Sequence, residues 1–205
     1  MPGLLVLLLC AYLCGSIPTG VWLSRRRGID PRDIGSGNIG ATNVARAAGV
    51  ATGLMTLAGD ALKGLIPVLV AMHTGDAEPI AALAGFAAFI GHLYSCFLRL
   101  QGGKGVATAL GVLLGLAPLT MVIVVPLFAL TVALSRYVSL ASLLGACVTP
   151  ALLVALRYPP ATTAVGFATC LLIGVRHRGN IRRLRFGTEA RIDGARASDR
   201  DSGFA

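Results

Sequence analysis

Long apolar runs separated by short polar segments dominate the chain, at about residues 3–23, 50–72, 79–98, 105–117, 119–135, 139–156 and 161–175. A helix needs about 20 apolar residues to cross the hydrocarbon core of a bilayer. The pattern therefore predicts an all-α, polytopic membrane bundle of seven transmembrane helices, forming one domain over residues 1–189 with a charged, frayed tail over 190–205. The run at 105–117 is the shortest, about 20 Å of helix against about 30 Å of hydrocarbon. It is expected to be short, tilted or reached by a re-entrant loop. Pro118 predicts a turn after it, and Pro126 a kink in the next run. No internal repeat is visible.

Charge changes the picture by giving the bundle a direction. Of the 18 Lys and Arg residues, 16 fall on alternate polar segments if the N-terminus is outside; Arg157 alone lies on the opposite side and Lys63 within a run. The positive-inside rule then sets the N-terminus outside and the C-terminus in the cytoplasm. A net charge of +9 otherwise suggests nucleic acid, but these cations sit in short loops between apolar runs, so no nucleic-acid partner is expected. A composition 55% hydrophobic and 13% charged excludes an ordinary soluble domain. The first run is not a cleaved signal, because Arg25, Arg26 and Arg27 follow it and no basic residue precedes it. Cys10, Cys14, Cys96, Cys147 and Cys170 lack paired spacing, which points to buried packing residues and to neither a metal site nor a disulfide framework.

The candidate chemistry lies in the inner polar segments. GSGNIGATNVAR, residues 35–46, sits in a 24–49 loop whose glycines permit tight turns; Ser36, Asn38, Gly40, Thr42, Asn43 and Arg46 offer donors for an anion or polar substrate. LQGGKGVATAL, residues 100–110, is not a Walker loop, since Lys104 is followed by Gly105. Its place before a helix suggests instead that Gly102, Gly103, Gly105 and Thr108 form a phosphate cradle beside Lys104, the alternative being a turn with a snorkelling lysine. Ser139 and Ser142 share one side of the sixth helix, as helix caps or, with the other segments, as site hydroxyls. If the seventh helix continues, His177 and Asn180 stand one turn apart, with Glu189 beyond them. His177 suits phosphate binding or proton transfer, and Asn180 both donates and accepts. Asp60 and Lys63 within the second run are read as a structural ion pair or a substrate site. His92 is expected to be a satisfied interhelical hydrogen-bonder, and His73 solvated.

Together these segments resemble the bacterial acyl-phosphate:glycerol-3-phosphate acyltransferase family over nearly the whole chain. Ser-Gly-Asn-x-Gly-Ala-Thr-Asn-x-x-Arg stands complete at Ser36 to Arg46, and Gly-Gly-Lys-Gly-Val-Ala-Thr at Gly102 to Thr108. Arg-His-x-x-Asn-Ile-x-Arg-Leu with a following Gly-x-Glu runs from Arg176 to Glu189, and Arg-Tyr-Val-Ser-Leu-Ala-Ser at 136–142 also fits. Ser95 and Leu100 depart from the family's usual proline and phenylalanine.

The resemblance implies transfer of a fatty acyl group from acyl phosphate to the 1-hydroxyl of glycerol 3-phosphate, giving lysophosphatidic acid and phosphate at the start of phospholipid synthesis. It further implies a bacterial inner-membrane enzyme whose site faces the cytoplasm, no cofactor, and an acyl-phosphate-supplying enzyme as partner. Lys104, His177 and Asn180 are the expected catalytic residues: Arg46, Lys104 and His177 hold phosphate, and Asn180 orients the glycerol hydroxyl. The base is His177 or an oxygen of the acyl phosphate itself. An acyltransferase using His-x4-Asp is excluded, because Glu78, Phe97 and Arg182 stand five after the three histidines. An anion transporter is the remaining alternative, although its polar site should recur near the midplane.

Overall fold

The computed structural model describes residues 2–73 and 78–192. Helices follow as α1 (Pro2–Ser16), α2 (Thr19–Arg25), α3 (Ala41–Ala48), α4 (Val50–His73), α5 (Glu78–Leu93), α6 (Val106–Leu116), α7 (Pro118–Ser135), α8 (Val138–Ala155), α9 (Pro160–Arg176) and α10 (Arg178–Arg185), with a 3₁₀ turn at Cys96–Leu98. No strand occurs among the described residues. Each predicted run contains a helix. Five stretches, Gly3–Arg25, Val50–His73, Glu78–Leu98, Pro118–Ser135 and Val138–Ala155, are long and apolar enough to cross a membrane; Val106–Leu116 and Pro160–Arg176 are apolar but shorter.

Three boundaries differ from the sequence expectation. The first run is not one helix: it breaks at Ile17–Pro18, where proline lacks an amide and the buried Lys63 ammonium donates to the Ile17 carbonyl at 2.8 Å. The 24–49 segment is only partly loop, since α3 occupies its end. The seventh run does not continue smoothly into the last motif; His177, at φ −97° and ψ 6°, ends α9 and begins α10. Pro126, by contrast, lies inside α7 without interrupting it.

Small residues let the central helices touch backbone to backbone, as in many membrane bundles. A Cβ on Gly15 of α1 would lie 1.9 Å from the Ala88 carbonyl oxygen of α5, and one on Gly111 of α6 would lie 1.8 Å from that of Ala61 in α4. Val68 and Val112 are fully buried in one apolar cluster of the core, and Phe89 and Leu93 in another. Ser95, just after α5, ties this end of the helix to α1, its buried hydroxyl donating to the Ser16 carbonyl at 2.5 Å. Glu78 fixes another neighbour, accepting the Thr162 amide at 2.9 Å in the first turn of α9.

The outer surface is a belt of aliphatic side chains that includes Leu5, Val122, Leu134 and Leu171. Cys10, Cys96 and Cys147 lie on the exposed surface and Cys14 and Cys170 are half-buried, contrary to the expected core placement. A thiol is apolar enough for such positions. The first residues of the segment read as a tail make contacts: the Ile192 amide donates to the Arg136 carbonyl at 2.8 Å, and the Arg191 guanidinium lies 5.3 Å from the Tyr137 ring centroid. Residues 193–205 lie outside the described residues.

Candidate active site

The first motif is shaped from within by Asn43. Buried in the first turn of α3, its Nδ2 donates to the carbonyls of Pro31, Ile34 and Asn38 at 2.8, 3.0 and 2.9 Å, and its Oδ1 accepts the Ser36 amide at 3.0 Å. Gly35 and Gly37 supply the positive φ this fold of the chain requires, +62° and +68°. Asn43, expected on the substrate, therefore spends its amide holding the loop. Ser36, Asn38, Gly40 and Thr42 line a cavity that Asn43 also borders.

The glycines of the second motif also have an internal explanation. The Gly102 and Gly103 amides are not open to an anion; they donate to the Leu93 and His92 carbonyls at 3.1 Å each, completing the end of α5. A Cβ on Gly102 would lie 1.9 Å from the His92 carbonyl oxygen, and one on Gly103 would lie 2.3 Å from His92 Nε2. Arg176 clamps the same loop from α9, donating to the Gly102 and Gly103 carbonyls at 2.5 and 3.0 Å while lying over the Tyr94 ring. The glycines thus let the loop press against α5. The first turn of α6 beyond Gly105 keeps the unpaired amides that any helix N-terminus presents.

Lys104 emerges from this clamped loop into a chain of polar contacts. Its ammonium donates to Asn180 Oδ1 at 2.5 Å; Asn180 Nδ2 donates to Glu189 Oε1 at 2.5 Å, and Arg183 to Glu189 Oε2 at 2.6 Å. Burial, reinforced by Arg183, Arg46 and Arg176 and opposed by Glu189, lowers the Lys104 pKa to about 8. Burial raises the Glu189 pKa, but hydrogen bonds from Asn180 and Arg183 and the Arg183 charge outweigh it, hold the carboxyl below the usual range and keep it ionised. His177 is buried, with Nδ1 2.8 Å from the Ile173 carbonyl oxygen. Burial and the Lys104 charge push its pKa down to about 4. The ring is thus neutral near pH 7, Nδ1 carries the proton toward that carbonyl, and Nε2 is left as an acceptor. Arg46, on α3, donates to the Arg191 carbonyl at 3.2 Å.

Ser36, Asn38, Gly40, Thr42, Asn43, Arg46, Lys104, Gly105, Ser139, Ser142, His177, Asn180 and Glu189 all border one cavity of about 150 Å³. Gly102 and Gly103 border an adjoining polar recess of about 370 Å³ that shares Ser36, Asn38 and Lys104 with it. Thr108 borders neither and is fully buried in the α6 packing. Ser142 is not a cap; its hydroxyl bonds back to the Val138 carbonyl at 2.8 Å within α8. Besides Asp60, read above as part of an ion pair or a substrate site, the charged or imidazole side chains that border these spaces outside the expected set are His92 and Arg183 at the cavity and Arg176 and Arg178 at the recess. The arginines are hidden in a segment whose charge has a topological explanation. Asp60 and His92, as ionisable residues inside apolar runs, carried a visible signal. His92 is not the satisfied hydrogen-bonder expected, for its buried Nδ1 has no partner among the described residues.

A second cavity of about 230 Å³ adjoins the first, between α6, α7, α8 and α9. It is lined almost wholly by aliphatic and small residues, among them Leu110, Leu113, Met121 and Ile173, and it shares Leu57, Val106, Ala107, Phe128 and Ser142 with the polar cavity. The site is thus a hydrogen-bonding, cation-rich chamber joined to an apolar slot.

Comparison with known proteins agrees with this geometry. The family model described as glycerol-3-phosphate acyltransferase matches residues 5–187. The glycerol-3-phosphate acyltransferase of Geobacter sulfurreducens is 51% identical over 92% of this chain and 97% of its own, and that of Thermus thermophilus 45% identical over 90% and 93%. Crystal structures of PlsY (YgiH), an integral membrane glycerol 3-phosphate acyltransferase, superpose with TM-scores of 0.89 for the glycerol 3-phosphate form and 0.87 for the lysophosphatidic acid form. Each is 38% identical and aligned over 92% of this chain and 95% of that one. This chain, an integral membrane helical protein, belongs to the glycerol-3-phosphate acyltransferase family.

Proposed function

We propose that this protein transfers a fatty acyl group from acyl phosphate to the 1-hydroxyl of sn-glycerol 3-phosphate, giving 1-acyl-sn-glycerol 3-phosphate and inorganic phosphate. The observation that carries this reading is the junction of the two cavities at Leu57, Val106, Ala107, Phe128 and Ser142. One substrate is phosphate-bearing and water-soluble and the other joins phosphate to a long hydrocarbon. A chamber holding Arg46, Lys104 and His177, opening directly into an apolar slot, suits that pair and would suit neither two soluble substrates nor two lipids.

In this reading the acyl chain lies in the slot and its carbonyl sits at the junction. The phosphates lie in the chamber, near Lys104 and Arg46, within reach of the unpaired amides at the start of α6. Asn180 and Glu189 act by placing Lys104 and Arg183, since their polar groups are bonded to those side chains. The glycerol 1-oxygen attacks the acyl carbon, the bond from that carbon to the phosphate oxygen breaks, and the hydroxyl proton leaves with the phosphate. An acyl phosphate oxygen takes that proton. His177 Nε2 is an acceptor while the ring is neutral, but a phosphate dianion beside it favours the imidazolium, which holds the anion and no longer acts as a base.

The seven apolar helices are read as spans of the bacterial inner membrane, N-terminus outside and the chamber on the cytoplasmic side, because the cationic segments gather there. The acyl phosphate then comes from a cytoplasmic or membrane-surface enzyme. Sealed vesicles of known sidedness test reaction and orientation together, given long-chain acyl phosphate and membrane-impermeant glycerol 3-phosphate, with the lipid product identified by mass spectrometry. Product is expected in inside-out vesicles. Product confined to right-side-out vesicles would overturn the orientation, and none in either would overturn the reaction.

A further inference from the structure

Asp60 and His92 meet across the α4–α5 contact at the wall of the polar chamber, and nothing in the transfer described above uses them. Both are buried, 2% and 3% exposed. Asp60 Oδ1 receives the Lys63 ammonium at 2.9 Å, and the same oxygen lies 3.9 Å from His92 Nδ1. That separation is too long for a hydrogen bond, and Nδ1 has no other partner among the described residues. The ring is held in place, because Nε2 abuts Gly103 and the His92 carbonyl anchors the Gly103 amide. A buried, fixed, unpaired nitrogen facing a carboxylate across such a gap is costly unless something enters. One oxygen can lie within hydrogen-bond distance of both atoms, accepting from one and donating to the other.

The chemistry of that wall selects a hydroxyl. A phosphate would meet the Asp60 carboxylate and be repelled, whereas a hydroxyl can accept from His92 Nδ1–H and donate to Asp60. Position selects which hydroxyl. Asp60 and His92 border only the polar chamber and not the apolar slot, so they lie away from the junction where the acyl carbon must sit. We propose that Asp60 and His92 form a specificity subsite for the non-reacting 2-hydroxyl of the glycerol 3-phosphate acceptor. This rests on the reaction proposed above.

The test compares glycerol 3-phosphate with 3-hydroxypropyl phosphate, the same acceptor without that hydroxyl, as kcat/KM at fixed acyl phosphate. Wild-type protein should prefer glycerol 3-phosphate by about 100-fold or more, as sites built to bond a hydroxyl do. His92→Phe and, as a near-isosteric second variant, Asp60→Asn should each reduce that ratio below about tenfold, with the loss falling mainly on glycerol 3-phosphate. A wild-type ratio near one would overturn the inference, as would variants that lower both acceptors in the same proportion. Absence of wild-type turnover with glycerol 3-phosphate would refute the reaction itself and the inference with it.

Discussion

Lys104 shows how a single charged side chain is prepared for an anion. Its loop is pinned by two backbone bonds to α5 and two from Arg176, so the ammonium is delivered to one place at little further cost in entropy. Its pKa of about 8 follows mainly from burial. Below that pH the ammonium is charged and binds phosphate; above it the charge, and with it binding, is lost. The kcat/KM for glycerol 3-phosphate should therefore fall about tenfold per pH unit above about pH 8. Lys104→Arg, whose guanidinium stays protonated, should be slower throughout but lack this alkaline limb. A wild-type profile flat from about pH 7.5 to about pH 9.5 would remove Lys104 from anion binding. His177 does not contribute that limb, because burial and the Lys104 charge push its pKa down to about 4.

At the level of elements, the break between α1 and α2 and the Asp60–Lys63 pair are one device. Pro18 interrupts the helix, and Lys63 reaches across from α4 to the half-buried Ile17 carbonyl, which also accepts the Thr19 amide at 3.0 Å, while neutralising Asp60. Lys63→Met should destabilise the protein by about 3–5 kcal/mol, the usual consequence of leaving a buried charge unpaired. Thermal unfolding in detergent measures it. The Lys63→Met, Asp60→Asn double variant should recover part of that loss, and an equal loss in both would deny the coupling. The spacing of these two residues was legible in the sequence because it lies within one helix. The break was not, since Ile17–Pro18 sits in an unbroken apolar run and membrane helices tolerate proline. Nor was α3, because Gly35, Gly37, Asn38 and Gly40 immediately before it read as loop. The fate of Asn43 illustrates the same limit: the sequence locates it in the right cavity, but only the fold shows that its amide is consumed by three loop carbonyls. Contacts such as Asp60 with His92, or Arg176 with Gly102, join distant segments and leave no local pattern.

Across the whole molecule, the lipid-facing belt, the clustered cationic loops and the two joined cavities express one arrangement. Close crossings of small residues bring α4, α5 and α6 together, which places three polar motifs, separated by up to about 150 residues of chain, around one chamber. α7 contributes little to the core and serves mainly as one wall of the apolar slot. The transporter alternative has no support in this layout, and the family matched is enzymatic. The central claim is that the chamber couples acyl phosphate cleavage to the glycerol phosphate hydroxyl. Phosphate release from long-chain acyl phosphate by the purified protein tests it most directly, with and without glycerol 3-phosphate and alongside Lys104→Ala. Release should depend on glycerol 3-phosphate and fall by at least about 100-fold in the variant, the scale on which a key electrostatic group contributes. Equal release without the acceptor, or a Lys104→Ala protein as fast as wild type, would contradict the account.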